Sequence, residues 1–451
     1  MSDSARDLLT RGIAAAKAEE RDEARFYLEW ALRTDAGREQ KAQAWLWLSE
    51  IATAPEEKRN CLEQALALDP SNGVARRGLA ILDGRLDPAE IVDPDRLPAS
   101  DQEGVPAPAS TQRFVCPKCG GKMAFRPDGR VLACGYCGNE QTLFAAISQG
   151  SMVQEQDFTV AMATAKGHSK PVRVRTFSCQ ACGASFVLAP SVLSLTCSYC
   201  GSAHVVQLKA TRRLILPTAI IPFNVSQKTA RSAFRQWFDK NGLRGKVKVT
   251  PVRGLYVPAW TFDLSGEVRW QGFVDPEEDS SMELGGIQVS FGDSETSRRL
   301  VKEEGSHLLY EDDILVPASH KLPAELLMKE AEGFVLSEVV PYEEAYLADW
   351  PAEVYEISVS DASLVARRIA VSKAGHFINI RTNALHSDVR DLQLNTSAVV
   401  VESFKLILLP VWIGRYRYQE EIYYVLVNGQ TGTVRAQEPQ NWLQRFMDRL
   451  F

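Results

Sequence analysis

Eight of the nine cysteines lie in four Cys-x-x-Cys pairs, and nothing else in this chain of 451 residues restricts its fold as tightly. The pairs form two sets with one spacing, C-x2-C-x14-C-x2-C. Cys116, Cys119, Cys134 and Cys137 make the first set; Cys179, Cys182, Cys197 and Cys200 make the second. Two residues between thiols let one tight turn present both sulfurs to a single ion, and zinc takes four thiolates in a tetrahedron. A glycine follows every pair (Gly120, Gly138, Gly183, Gly201), which frees the turn to fold its amides toward the sulfurs. The gap between pairs has room for a hairpin, with "PDGR" (Pro127 to Arg130) as the turn in the first set. Each module spans roughly 25 residues, and chains below about 40 residues rarely build a sufficient core. A structural zinc contributes roughly 10–16 kcal/mol of binding coupled to folding, so the metal is expected to stand in for the core. Four protein thiolates leave no coordination position for water, which argues against zinc catalysis. The expectation is two zinc ions, one per set, with iron the alternative metal for four thiolates. A redox role for Cys-x-x-Cys does not explain two matched pairs at equal spacing. Cys61 is left over, and His168 and His204, close to the modules, are not needed as ligands.

The rest of the composition is that of a globular protein. It is 45% hydrophobic and 24% charged, which excludes a mainly disordered chain. The length suggests about three domains at roughly 150 residues each. No apolar run reaches the ~18 residues of a membrane span, and the longest, Leu406 to Ile413, contains Pro410. The start "MSDSARDLLTRG" lacks a basic head followed by an apolar block, so no secretory signal is expected. Paired cysteines used for metal belong to a reducing compartment, and a cytoplasmic location is expected.

Patterning divides the chain into seven parts. Residues 1–85 read as amphipathic helices, with Leu8, Gly12, Ala15, Ala24, Leu28 and Ala31 at helix-pair spacing. Trp45, Leu48, Ser49 and Ala52, then Leu62, Ala65 and Pro70, repeat that pattern, and Ser71 and Asn72 are cap candidates for a closing helix. Residues 86–112 read as a Pro-rich linker. The first cysteine module occupies 113–140 and the second 176–208, and between them 141–175 holds a helix over Val153 to His168 and a strand. Residues 209–438 read as an α+β domain, predicted from period-two runs and from a helix capped by Ser226 that ends at Asn241-Gly242. The turn "NGQTG" (Asn428 to Gly432) signals a hairpin. Residues 439–451 read as an amphipathic helix, with Trp442, Leu443, Phe446 and Leu450 on one face and Arg445 and Arg449 beside them. Pro258/Trp260 and Pro410/Trp412 repeat one pattern, an apolar strand with Pro-x-Trp, which suggests two related halves of one sheet system. A proline within a strand run fits an edge, a bend or a bulge, and the tryptophans read as core anchors.

These stretches resemble known families. The first 85 residues resemble a short tetratricopeptide array, which implies a docking or spacing module. The cysteine modules resemble the zinc ribbons of transcription factor IIB and RNA polymerase subunits. From Thr176 to Glu438, "FSCQACGASFVL", "LTCSYCGSAHVV", "PTAIIPFNVSQKTARSAFRQWF", "VVPYEEAYLADW" and "YYVLVNGQTG" resemble the bacterial TFIIB-type zinc-ribbon-containing proteins. Some members carry membrane helices after the last hairpin, where this chain reads "PQNWLQRFMDRLF" instead. Others are labelled helicase-like, but no phosphate loop is present here. The fold expected is multidomain: an all-α repeat-like segment, two zinc ribbons, and a mostly antiparallel α+β domain.

Function is read from what the motifs allow. H-E-x-x-H, G-x-S-x-G and dinucleotide fingerprints are absent, and the six histidines are scattered, so no enzyme is expected. The expected role is a non-catalytic zinc-binding adaptor or scaffold for protein partners. The alternative is a nucleic-acid-binding ribbon protein of transcription or replication. Residues 113–213 carry 12 Lys/Arg and 4 Asp/Glu, in a chain of net charge -6, and Lys170, Arg173 and Arg175 flank an aromatic in "KPVRVRTF". Eight thiolates on two zinc ions take back four of those positive charges. Peripheral membrane contact through the C-terminal helix is a further expectation.

Overall fold

The computed structural model describes residues 5–91, 114–127, 131–142, 153, 155–164, 170–172, 176–187, 197–203, 205–207, 212–243, 247–274, 281–284, 287–290, 301–348, 350–383, 389–418 and 421–437. Five helices come first: α1 (Ala5–Lys17), α2 (Arg21–Arg33), α3 (Arg38–Ile51), α4 (Pro55–Leu68) and α5 (Gly73–Leu82). Small residues set their spacing. A Cβ on Gly12 would stand 2.7 Å from Leu28, so α1 meets α2 only because position 12 has no side chain. Gly78 plays the same part for α5 against Leu62 of α4, at 2.9 Å. Asn72 caps α5 by accepting from the Ala75 amide. Cys61 is a buried core thiol, pushed up by its burial.

The stretch read as a linker from residue 86 begins folded. Leu86 is buried against Ala80, Val160 and Ala163, and Ile91 bridges to Thr164. Arg76 pairs with Glu402 at 2.8 Å, and Arg85 with Asp157, so the helical array is tied to the sheet domain by contacts of both kinds.

Two three-stranded ribbons and one large sheet follow. Ribbon 1 is β1 (Met123–Arg126), β2 (Val131–Cys134) and β3 (Glu140–Thr142). Next come β4 (Gln156–Asp157) and α6 (Phe158–Ala163). Of the helix expected over Val153 to His168, the described residues form only α6: Asp157 pairs with Ser403 in the sheet and caps α6 at Val160, so the helix cannot begin earlier, and 165–168 lie outside the described residues. Strand β5 (Lys170–Val172) precedes ribbon 2, which is β6 (Thr176–Cys179), β7 (Ser185–Val187) and β8 (Val205–Gln207), and β9 (Arg212–Leu214) pairs back with β5. The sheet domain continues through β10 (Ala219–Ile220), α7 (Gln227–Lys240), β11 (Lys248–Val249), β12 (Arg253–Val274), the hairpin β13 (Ser281–Leu284) and β14 (Ile287–Ser290), and β15 (Val301–Pro317). It closes with α8 (Ala324–Ala331), β16 (Val340–Pro341), β17 (Ala352–Glu353), α9 (Val359–Asn383), β18 (Arg390–Asn395), β19 (Val400–Tyr418), β20 (Glu421–Asn428) and β21 (Val434–Ala436). Two of the period-two runs, "GLYVPAWTF" and "GEVRWQGFV", are one strand, β12, because β15 pairs from Ala259 in the first through to Val274 in the second.

The Pro-x-Trp echo is a structural duplication. β12 and β19 pair antiparallel from Arg253↔Ile413 to Ser265↔Val400, and Val257↔Leu409 is the pair about which the two motifs exchange. In one half, β10 leads through Ser226 into α7 and then β12; in the other, β17 leads through Ser358 into α9 and then β19. Ser226 and Ser358 each accept from the amide three residues on, as helix caps do. Each short strand pairs parallel with the other half's long strand: β10 with β19, and β17 with β12. Trp260 donates from Nε1 to the Ile357 carbonyl and Trp412 to the Val225 carbonyl, both at 2.9 Å. Each tryptophan also meets an aromatic of the opposite half edge-on, Tyr355 and Phe223 respectively.

The prolines therefore lie in central strands, not at an edge. Each stands where its strand changes neighbours. β12 passes from β17 at Tyr256 to β15 at Ala259, and β19 from β10 at Leu408 to β20 at Val411. A missing N–H costs nothing at a position that no flanking strand asks for a donor. Trp260→Phe or Trp412→Phe removes one buried donor and orphans its carbonyl. Each is expected to cost about 1–3 kcal/mol, measured by urea unfolding.

Glu330 on α8 is buried, and burial pushes its carboxyl up to about 8 against the opposing influence of Arg435 and Asn428. The folded protein thus keeps a proton that the unfolded chain loses near the ordinary 4.5. Stability then falls as pH rises between those values and levels off above them. Urea titrations across that range are expected to show Glu330→Gln gaining on the wild type as pH rises, with a constant gap above about pH 8.

Candidate metal centres

All four Cys-x-x-Cys turns share one local geometry. The glycine after each pair has positive φ: 71° at Gly120, 69° at Gly138, 72° at Gly183 and 74° at Gly201. In this left-handed conformation its amide returns to the first cysteine's carbonyl, as in Gly120 to Cys116 at 2.8 Å and Gly201 to Cys197 at 2.9 Å. The first cysteine's amide bonds forward in turn, Cys116 to Gly121 and Cys179 to Ala184. The backbone of each turn is thereby closed, and both sulfurs face one point.

The hairpins bring the turns together. Within ribbon 1, β1 and β2 pair from Met123↔Cys134 to Arg126↔Val131, and of the turn expected at "PDGR", residues 128–130 lie outside the described residues. Cys116 and Cys137 sulfurs stand 3.5 Å apart, as do those of Cys119 and Cys134. In ribbon 2, Cys179–Cys200 is 3.5 Å and Cys182–Cys197 3.6 Å. A tetrahedron with 2.3 Å zinc–sulfur bonds has edges of about 3.8 Å, so a modest expansion seats an ion. All eight are free thiols. Each set could hold one metal ion, since its four sulfurs lie within 4.8 Å of one another.

The electrostatics of the sulfurs call for a cation. Amides of Cys137 and Tyr136 bring Cys134 down to about 6. Cys119 has the Gly121 amide in its favour, yet the sulfurs of Cys137 and Cys134 push it up to about 12. Thiols this close cannot all ionise by themselves, and a bound dication removes that conflict.

The two ribbons are seated differently, and sequence reasoning missed the residues that seat them. Ribbon 2 is part of the large sheet: β7 pairs with β17, through Ala352↔Val187 and Glu353↔Phe186. The equivalent strand of the other half, β10, has β16 in that place. Tyr199, between Cys197 and Cys200, is buried and donates to Glu353 Oε2 at 2.5 Å, while Ser319 donates to Oε1 at 2.8 Å. Burial pushes Glu353 up to about 8. Arg415 donates to the Cys200 carbonyl at 2.6 Å, and the Arg253 guanidinium lies 3.1 Å from where a Cβ on Gly201 would stand.

Ribbon 1 rests on the surface of the same domain. Phe125 bonds from its amide to Ala348, accepts from Trp350 Nε1 at 3.0 Å, and meets Tyr346 edge-on. Gly254 on β12 leaves the space that Trp350 needs. Tyr136, the counterpart of Tyr199, is 85% exposed. The stretches "CGYC" and "CSYC" carry no signal that separates these two tyrosines.

Of the other predicted site residues, Lys170 is on β5, while Arg173 and Arg175 lie outside the described residues, as do His168, His204 and residues 439–451. A third cluster, Glu155, Asp263 and Asp313, surrounds the buried Lys405 ammonium, which pairs with Glu155 at 2.8 Å and Asp313 at 2.7 Å. The ammonium takes the place a metal would use. Among the described residues no helix is long and apolar enough to cross a membrane.

No family model matches the chain. No solved structure matches it either. It is similar to the protein YdjG of Bacillus subtilis (strain 168), described as uncharacterized, with 27% identity over 355 residues that cover 72% of this chain and 89% of the relative.

The contrast between the tyrosines is testable. Tyr199→Phe removes a donor to a buried carboxyl and is expected to destabilise the protein by about 1–3 kcal/mol in chemical denaturation. Tyr136→Phe, at an exposed site, is expected to leave the unfolding midpoint unchanged.

Proposed function

We propose that the protein is a non-catalytic adaptor that binds two zinc ions and presents its helical and ribbon modules to protein partners. The observation that carries this reading is the closed character of both cysteine sets. Each has four thiols converging on one point, which suits a structural ion and leaves no position for a substrate. Zinc is the metal of choice for four thiolates at this spacing, and the proposal is one ion on each set.

The modular arrangement supports the rest. Both ribbons rest on the segment from Ala345 to Glu353, so the metal sites brace one domain. The helical array keeps Phe26 and Trp30 of α2 exposed, at 59% and 43%, as an edge-to-face pair one helical turn apart. Large exposed aromatics are common anchors in protein interfaces. An array of the tetratricopeptide type and a cytoplasmic location belong to this same reading.

The test has two arms. Affinity capture from the source cells is expected to recover a stoichiometric protein with wild type and to lose it with Phe26→Ser/Trp30→Ser. Circular dichroism of the variant must match wild type. The second arm measures DNA and RNA binding by the intact protein at low and moderate salt. Tight binding that weakens steeply with salt, together with no protein partner, would replace the adaptor reading by the nucleic-acid one.

A further inference from the structure

The two cysteine sets are alike in spacing and sulfur geometry but not in surroundings. In ribbon 1 both Cys119 and Cys137 are exposed, each 3.5 Å from a buried partner, Cys134 and Cys116 respectively. The ribbon meets the domain through the Phe125 contacts to Ala348, Tyr346 and Trp350, and Cys116, Met123, Leu132 and Cys134 belong to the same buried apolar cluster. In ribbon 2, Cys179 and Cys197 are fully buried, Cys200 is half-covered, and Cys182 alone is exposed. Around that site lie the Arg253 and Arg415 guanidinium groups, the Tyr199–Glu353 bond and the β7–β17 pairing. Fixed cations beside a metal–thiolate centre of net negative charge hold electron density on the sulfurs and oppose loss of the ion. Packing covers Cys179 and Cys197 and half-covers Cys200, which leaves Cys182 as the one sulfur of this set open to oxidants, against two in ribbon 1.

From this asymmetry we propose that ribbon 1 is an oxidation site: peroxide converts its thiolates to disulfides and expels its zinc, while ribbon 2 keeps its own. An exposed thiolate, Cys137 for example, attacks the oxygen–oxygen bond of hydrogen peroxide, giving a sulfenic acid and one hydroxide. The Cys116 thiolate then displaces a second hydroxide from that sulfur and forms the disulfide. Two thiolates lose two electrons, and one peroxide is reduced to two hydroxides. The ion is left with two thiolates and passes to water. Cys119 and Cys134 can repeat the step with a second peroxide. Drawing each sulfur pair from 3.5 Å to the ~2.05 Å of a disulfide, with no ion between the turns, displaces the hairpin, so the Phe125 contacts to Tyr346 and Trp350 loosen and the segment Ala345–Ala348 loses cover. The chemistry that acts on this site is therefore a small two-electron oxidant.

The inference rests on zinc at both sets, and one experiment separates the two claims. Native mass spectrometry of the intact protein first counts the metal. Fewer than two zinc ions per chain would overturn the metal assignment itself. With two present, hydrogen peroxide is added with a chromogenic zinc chelator. One equivalent is expected to leave at least ~10-fold faster than the other. Peptide mapping is expected to place disulfides within Cys116, Cys119, Cys134 and Cys137, and hydrogen exchange is expected to rise across residues 340–350. Thiol reductant and zinc should restore the starting mass and exchange. Arg253→Gln/Arg415→Gln is expected to narrow the difference in rates by speeding the slow equivalent. Release of both ions at one rate, first release from the second set, or no release would each overturn the proposal.

Discussion

The antiparallel pairing of β12 with β19 is the contact on which the rest of the domain is hung. Thirteen residue pairs join the strands. Both halves of the duplication then need this one ladder. Each short strand, β10 and β17, finds its parallel partner only on the opposite half's long strand. Each tryptophan reaches across to the carbonyl just before the other half's helix. Neither half can therefore satisfy its buried polar groups alone, and an unpaired buried carbonyl or indole N–H is costly. The prolines fit this plan, since a strand that changes neighbours has one position where no donor is wanted.

The duplication also explains where the second ribbon sits. A two-residue strand beside a long one leaves an open edge, and an open edge invites unwanted pairing. In one half the edge of β10 is covered by β16, a segment of the same domain. In the other, the edge of β17 is covered by β7 of ribbon 2. That ribbon is thus part of the sheet as well as a four-thiol site that could hold a metal ion. Its folding and the closure of the sheet edge are coupled through Glu353, which belongs to β17 and receives Tyr199. Ribbon 1 has no such place in the large sheet; it packs its apolar face, with Phe125 at the hydrogen-bonded contact, against the helical turn and the tryptophan that follows it.

Much of this could be read from local residue patterns, because the forces concerned are local. Helix caps at Asn72 and Ser226, the turn at Gly242 and the hairpin after Asn428 each depend on a few neighbouring residues. Gly12 was legible because two helices at contact distance demand a small residue at a set spacing. Element lengths were less legible. α6 is short because Asp157 is drawn into the sheet by β19, nearly 250 residues away in sequence, and no local pattern reports that. β12 reads as two strands because Asp263 to Gly266 interrupts the apolar alternation, yet β15 pairs straight through it with one register shift.

The cysteine sets mark the boundary between what residue order settles and what it leaves open. Their spacing, with a glycine after every pair, is sufficient by itself to bring four sulfurs to one point, since a turn with positive φ and a hairpin are short-range structures. The sequence by itself therefore determined that this protein carries two closed four-thiol sites. Only the tertiary structure decided that they differ. Tyr136 and Tyr199 occupy the same place in near-identical turns, and one is exposed while the other is buried on Glu353. The physical reason is that burial and charge around a sulfur come from residues brought from elsewhere in the chain. Arg253, Ser319, Glu353 and Arg415 surround the second site because β12, β17 and β19 share a sheet, and that sheet exists only once the chain has folded.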